Sequence, residues 1–406
     1  MYNGQAVHRR CCACCKPEVH KEEGMRLRLT VFTLLVLPAL LWGCAFIGST
    51  KVYTNPDYPP GDIKYLNVSM PALPVLPAAD WINASPGIID SLRGKVVLVD
   101  FWDYTCMNCI RTLPYLKEWY KRYAKDGFVI IGIHSPEFAF AQKRANLESA
   151  VEKFGLKYPV VMDNNFALWK EFGNQSWPEE YLFDQDGILR YVHSGEGEYG
   201  NSEEMIQRLL KEKDPHLKFP ALMQSLRPTD VPGAVCYLPT SETYLGYDAG
   251  RIGNSQGYTD NRAVDYRQPK SVKKDRFYLE GKWVVRGQYV RYAGERGDGK
   301  ILLNYSAASV NLVLRSDHKA LLPGQNGSPI RVFVYLDGLP VPKKDWPSGM
   351  KLSKGGKTFF NLGDPGMYDL VECKKYGRHI LTLILSSDAF AAYSFTFGTT
   401  CVNPGS

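Results

Sequence analysis

The chain has 406 residues, 45% of them hydrophobic and 22% charged, a globular composition long enough for two domains. Its net charge is +7, of which residues 1–28 supply +3; the remaining +4 is too little to argue for nucleic acid. Its ten cysteines do not form one framework: Cys11, Cys12, Cys14 and Cys15 cluster, Cys44 is alone, and Cys106 and Cys109 are two residues apart. Cys236, Cys373 and Cys401 follow in the last half, where one pair can form a disulfide and leave one thiol over.

Residues 1–24 read as a mis-assigned extension, foreign to any fold. Their cysteines with His8 and His20 have metal-binding chemistry, but Met25-Arg26-Leu27-Arg28 opens a complete signal sequence with an apolar run from Leu29 to Leu41. Lys21-Glu22-Glu23-Gly24 would be written in purine-rich codons, like a ribosome-binding site, so translation is expected to begin at Met25. Leu41-Trp42-Gly43-Cys44 resembles a bacterial lipobox, which implies removal of residues 25–43 and lipidation of Cys44. The alternative is an uncleaved anchor helix from Leu29 to Ile47. Both readings put the rest of the chain outside the cytoplasm, tethered to a membrane. Residues 44–77 are a Pro-rich tether with one short strand, Ile63 to Val68.

Val96, Val97, Leu98, Val99 and Phe101 make a nearly unbroken apolar run, as expected of a parallel strand covered on both faces. After Cys109 the apolar residues fall at Ile110, Leu113, Leu116, Tyr120 and Tyr123, which is helical spacing. Pro114 is expected to kink this helix without ending it. The Cys-x-x-Cys therefore opens a helix, where unpaired backbone N–H groups are expected to favour a reactive Cys106 thiolate. Cys109, one turn deeper, can resolve a mixed disulfide formed by Cys106. A zinc site would want further ligands nearby, and the next cysteine is Cys236; haem attachment would need His where Ile110 stands. A static disulfide stays open as the bland alternative.

Phe128 to Ile133 is a second buried strand, Ala139 to Phe154 a helix stopped by Gly155, and Tyr158 to Met162 a strand. A short helix follows from Ala167 to Phe172. Tyr181 to Phe183 and Ile188 to His193 make a hairpin across Asp184–Gly187, and Asn201 with Glu204 resembles a capping box for a last helix through Leu210. Strands alternating with helices, then a hairpin and a helix, predict an α/β fold, a central mixed sheet with flanking helices, over residues 78–217.

The run Val99-Asp100-Phe101-Trp102-Asp103-Tyr104-Thr105-Cys106-Met107-Asn108-Cys109 resembles the thioredoxin superfamily. With Leu92-Arg93-Gly94-Lys95 before it and Cys109-Ile110-Arg111-Thr112-Leu113-Pro114 after, it is similar to the TlpA-like branch and to DipZ-type proteins. The resemblance implies that Pro178 is cis beside the cysteines, with an ordinary loop proline as the alternative. Trp177 would line the partner groove or merely pack. Asp100 would be a buried acid taking a proton from Cys109, or else a structural Asp paired with a buried Lys. Glu137 would be an active-site glutamate, or else an acid at a helix start. Gly195-Glu196-Gly197-Glu198-Tyr199 resembles a DipZ-type loop. A peroxidase would want Thr three residues before the cysteine, and Asp103 is there.

After a linker at residues 218–228, short apolar and aromatic runs recur between Gly, Pro, Asp and Asn, and predict an all-β sandwich over residues 229–406. Thr243–Tyr247, Val310–Leu314 and Tyr393–Gly398 resemble the C-terminal domain of DipZ-type proteins, which is similar to carbohydrate-binding modules and implies a jelly-roll-like sandwich. Tyr244, Tyr247 and Trp283 could stack on an envelope glycan if exposed, although such aromatics are commonly core.

The expected function is an extracytoplasmic thiol–disulfide oxidoreductase acting on cysteines of exported proteins, in cytochrome c maturation or envelope redox homeostasis. The resemblance implies no metal or organic cofactor, and leaves open a CcdA- or DsbD-like membrane redox partner. The rival is an envelope glycan-binding protein whose thioredoxin-like scaffold is redox-idle.

Overall fold

The structure, a computed structural model, describes residues 80–259, 261–294, 299–316, 330–385 and 390–402. The expected extension, signal segment, Cys44 lipidation site and tether lie outside the described residues.

The first half is built on a six-stranded sheet in the order β1-β4-β3-β2-β5-β6. Its strands are β1 (Trp81–Ile82), β2 (Val96–Trp102), β3 (Phe128–His134), β4 (Val160–Met162), β5 (Glu179–Phe183) and β6 (Leu189–Ser194). Strands β2, β3 and β4 are parallel, and β5 and β6 form an antiparallel hairpin, β5 running antiparallel to β2. All seven residues of the central β2 are buried, as its apolar run requires. The helices are α1 (Met107–Tyr123), α2 (Arg144–Phe154), α3 (Ala167–Glu171) and α4 (Tyr199–Lys213). This is the thioredoxin-like arrangement predicted.

Pro114 sits inside α1 and the helix continues past it, burying Leu113, Leu116, Trp119 and Tyr123. Two local expectations are corrected. The helix over 139–154 is broken at Lys143, whose extended backbone separates a short 3₁₀ turn at Ala139–Gln142 from α2. The capping box at Asn201 does not form: α4 starts three residues earlier, after Glu198 in the left-handed region, so Asn201 lies within its first turn. Gly155, at φ 65°, does stop α2.

The second half is a β-sandwich whose strands are β7 (Val235–Cys236), β8 (Thr243–Tyr244), β9 (Ala263–Tyr266), β10 (Phe277–Val285), β11 (Val290–Tyr292) and β12 (Gly299–Ser316). They continue with β13 (Arg331–Leu336), β14 (Leu339–Pro340), β15 (Lys351–Leu352), β16 (Thr358–Asn361), β17 (Gly366–Leu385), β18 (Phe390–Gly398) and β19 (Cys401–Val402). Two apolar runs, Ile301–Tyr305 and Val310–Leu314, lie on the single strand β12, and two more, Tyr368–Val371 and His379–Leu385, on β17. β12 pairs with β17 along nearly its whole length, with register shifts near Ala307 and Val310. Its other edge passes from β10 to β18, as one strand bending between layers does. Cys236 is bonded to Cys401 across β7 and β19, and Cys373 is the leftover thiol.

Candidate active site

Strand β2 ends at Trp102, and the turn Asp103–Cys106 delivers the chain to α1 with Cys106 as its N-terminal cap. The turn is held by Asp103, which is wholly buried. Its carboxylate accepts from Thr105 N at 3.0 Å, from Thr105 Oγ1 at 2.8 Å and from Glu137 N at 2.7 Å. His134 Nε2 lies 3.2 Å away on the same carboxylate. Burial works against the Asp103 charge, but His134 and the backbone N–H groups hold its carboxyl below the usual range. Asp103 thereby ties the cysteine turn to the loop carrying Glu137. Sequence reasoning weighed Asp103 only against a peroxidase pattern and missed this clamp.

Cys106 and Cys109 are not disulfide-bonded, and Cys106 Sγ accepts from Cys109 N at 3.3 Å. The helix-start contact expected of a stabilised thiolate is thus present, but the ionisation expectation is corrected. Cys106 is only 9% exposed, and burial, together with the Cys109 thiol, pushes its own thiol well up, against the pull of the Cys109 N–H.

The Trp177–Pro178 peptide is cis, and the Trp177 carbonyl lies 3.9 Å from Cys106 Sγ. The Trp177 ring is half-buried, 4.3 Å from the Trp169 ring, and its Nε1 donates to Ser135 O at 3.0 Å, so it packs while its backbone faces the thiol. Glu179 holds this loop by accepting from the backbone N–H groups of Gln175 and Ser176 at 2.9 and 3.0 Å.

On β2, six residues before Cys106, Asp100 is buried directly opposite Glu180 in the β2–β5 register, not beside a lysine. Burial first, and Glu180 second, push the Asp100 carboxyl well up; burial raises Glu180 to about 7. Both charges, and that of Cys109, act on the buried Tyr158 hydroxyl. Glu180 was missed in the sequence, although a carboxylate inside an apolar strand is itself a signal.

Glu137 lies on the opposite side of the cysteine turn, half-buried, and the β-sandwich reaches it. Tyr244 on β8 donates to Glu137 Oε1 at 2.5 Å. Gln288 accepts from Ala139 N at 3.1 Å, and Phe138 and Phe140 pack on Tyr393 at 4.9 and 4.8 Å. Burial and the charge of Glu242 push the Glu137 carboxyl well up. Tyr244 is therefore engaged with the cysteine domain. Trp283 is fully buried and offers no ring face to a sugar, which corrects its expected role; Tyr247 is 36% exposed. The Gly195–Tyr199 loop gains a structural account: Glu196 bridges Arg111 of α1 at 3.3 Å and Arg227 at 2.9 Å, and Tyr199 stacks on Tyr115 at 3.6 Å. Among the described residues no cluster of His, Cys, Asp and Glu has metal-binding geometry, and no helix is long and apolar enough to cross a membrane.

Residues 85–192 match the AhpC/TSA family, and residues 240–398 match the family described as thioredoxin like C-terminal domain. The chain is 37% identical over 241 residues to Protein DipZ of Mycobacterium tuberculosis and of Mycobacterium bovis, covering 58% of this chain and 33% of each DipZ protein. It thus spans about a third of those relatives' length. It is 32% identical over 103 residues to the thiol-disulfide oxidoreductase ResA of Geobacillus thermodenitrificans, covering 25% of this chain and 56% of that one. A solved thiol-disulfide isomerase from Corynebacterium glutamicum aligns with a TM-score of 0.30 at 22% identity, over 37% of this chain and 97% of its own. With its sheet order and its cysteine pair at the start of α1, the first half has a thioredoxin-like fold, and over the matched stretches the chain is similar to DipZ and to ResA.

Proposed function

We propose that the protein is an extracytoplasmic thiol–disulfide oxidoreductase acting on cysteines of exported proteins, tethered to a membrane through lipidated Cys44 or an N-terminal helix. Apocytochromes are one such substrate class, and a CcdA- or DsbD-like membrane protein is the natural electron donor. The observation that carries this reading is Cys106 Sγ at the start of α1, 3.3 Å from Cys109 N, with the Trp177–Pro178 backbone beside it. Cys106 attacks a partner disulfide. The partner's leaving sulfur takes the electron pair and a proton, and Cys109 then displaces the partner from Cys106. Asp100 and Glu180 accept the Cys109 proton. The test is disulfide reduction by the full chain with a dithiol as donor. The Cys106→Ser variant is expected at the uncatalysed rate, and a wild-type rate in that variant overturns the proposal.

A second reading, a glycan-binding protein with a redox-idle scaffold, is favoured by the burial of Cys106 and by exposed Tyr247 beside Tyr258. It requires that the wild-type chain bind envelope glycan and leave Cys106 unalkylated at pH 8.

A further inference from the structure

Glu242 and Tyr244 alternate along the chain, so on an extended segment they face the same side, and that side is Glu137. The Tyr244 hydroxyl donates to Glu137 Oε1, and the Glu242 carboxyl lies against the same hydroxyl. The β-sandwich grips the Glu137 backbone too, through Gln288 Nε2 to Glu137 O at 3.4 Å, while Asp103 holds the Glu137 N–H from the other domain. Two carboxyls thus share one tyrosine hydroxyl across the domain boundary, and the hydrogen bond from Glu137 N to Asp103 ties them to the cysteine turn. Like charges brought this close do not both ionise cheaply, and one proton between them is the low-energy arrangement. The Glu137 charge is in turn felt at Cys106.

We propose that Tyr244 and Glu242 are positioning residues of the redox centre, supplied by the β-sandwich: they hold the Glu137 carboxyl on the loop that Asp103 ties to the cysteine turn, and set when it carries charge. The thioredoxin-like half is then complete as a reactive centre only with its β-sandwich in place. The proposal rests on the oxidoreductase reading, because it assigns residues to that same site.

The groups facing Glu137 are Asp103 and Cys106 from its own domain and Glu242 and Tyr244 from the β-sandwich. Behind them stands Tyr393 on β18, with Arg315 of β12 over its ring at 5.9 Å. The two variants push in opposite directions. Removing the Glu242 charge relieves repulsion, so Glu137 ionises at lower pH. Removing the Tyr244 hydroxyl takes away a donor to the carboxylate, so Glu137 ionises at higher pH.

The experiment is the pH dependence of Cys106 alkylation by iodoacetamide in the full chain, mapped to that residue by mass spectrometry. The wild-type profile is expected to carry a break from Glu137 that is absent in Glu137→Gln. That break should move down in Glu242→Gln and up in Tyr244→Phe, each by about one pH unit. Profiles that superimpose on wild type, or variants that move the same way, overturn the proposal. Thermal unfolding of each variant identifies one that has failed to fold; for it, the break is read on Glu242→Asn or Tyr244→Leu, where the same shift supports the proposal and its absence overturns it. Alkylation needs no turnover. A chain that shows these shifts yet exchanges no disulfides overturns the oxidoreductase reading and leaves the placement of Tyr244 and Glu242 standing.

Discussion

The molecule carries two cysteine pairs with opposite designs. Cys106 and Cys109 carry no disulfide bond, share the first turn of one helix and are buried. Cys236 and Cys401 are bonded, half-buried, and joined across two antiparallel strands 165 residues apart in sequence. The helix-start pair has backbone chemistry acting on sulfur, since the Cys109 N–H points at Cys106 Sγ. The strand pair closes a loop containing most of the β-sandwich. What separates the two pairs is the backbone presenting the sulfurs: one helical turn for the first, two paired strands for the second.

The contrast is broken most sharply by exchanging cysteine for serine in each pair. Cys109→Ser is expected to accumulate a mixed disulfide at Cys106 and stop turnover, read as a trapped adduct on a non-reducing gel. Unfolding midpoints should change little. Cys236→Ser with Cys401→Ser should do the reverse. Closing a loop of this length restricts the unfolded chain by up to about 5 kcal/mol, so denaturant midpoints should fall severely. Alkylation of Cys106 below the transition should stay at the wild-type rate. A double serine variant of unchanged stability would show that β7 and β19 are held by packing and hydrogen bonds alone.

A smaller effect separates the pairs by pH. Glu180, in the half that carries the helix-start pair, has a folded-state pKa of about 7, above the unfolded carboxyl at about 4.3. The folded chain therefore keeps a proton that the unfolded chain has lost. Stability fully present below about pH 4 is lost as pH rises to 7, by up to about 4 kcal/mol. Urea unfolding should give a higher midpoint at pH 5 than at pH 8, and Glu180→Gln should flatten that slope. A slope unchanged in Glu180→Gln would assign the pH dependence elsewhere.

The helix-start pair was legible in the sequence because its determinants are local: an apolar run, two cysteines and helical spacing within about thirty residues. The strand pair was not, because three cysteines in the last half leave three pairings open and only the β7–β19 register decides. Asp100 could be singled out by its place before the cysteines, but Glu180 needed the cross-strand register that sets it opposite. Glu137 could be read as an acid near a helix start, whereas Tyr244 and Glu242 meet it only after more than a hundred intervening residues fold. Trp283 looked like a binding aromatic because alternation along a strand does not say which face is outside, and here its face is the core. Strands β12 and β17 were each read as two, because polar residues such as Lys374 and Lys375 interrupt the apolar pattern while the backbone goes on pairing.

The smallest expected effect tests how the first pair's helix is tied to the linker toward the second. Glu196 accepts from Arg111 on α1 and from Arg227, which also pairs with Asp230 at 2.6 Å, and Asp230 accepts from Tyr115 Oη at 2.7 Å. Arg111 also approaches Gly398 at the end of β18, where a Cβ would come within 2.8 Å of its guanidinium. The Glu196 side chain is 29% exposed, so water screens these pairs and each is weak, but the network has geometry on both sides of one carboxylate. Glu196→Gln keeps the shape and removes the charge. It should cost about 1 kcal/mol in denaturant unfolding at low salt and less at 1 M salt, where screening acts within a few ångströms. The Asp230 half of the network is expected to survive, because its carboxylate is nearly buried and accepts from Tyr115 as well as Arg227. A loss that does not shrink with salt would mean that Glu196 acts by shaping the turn between β6 and α4, and not by its charge.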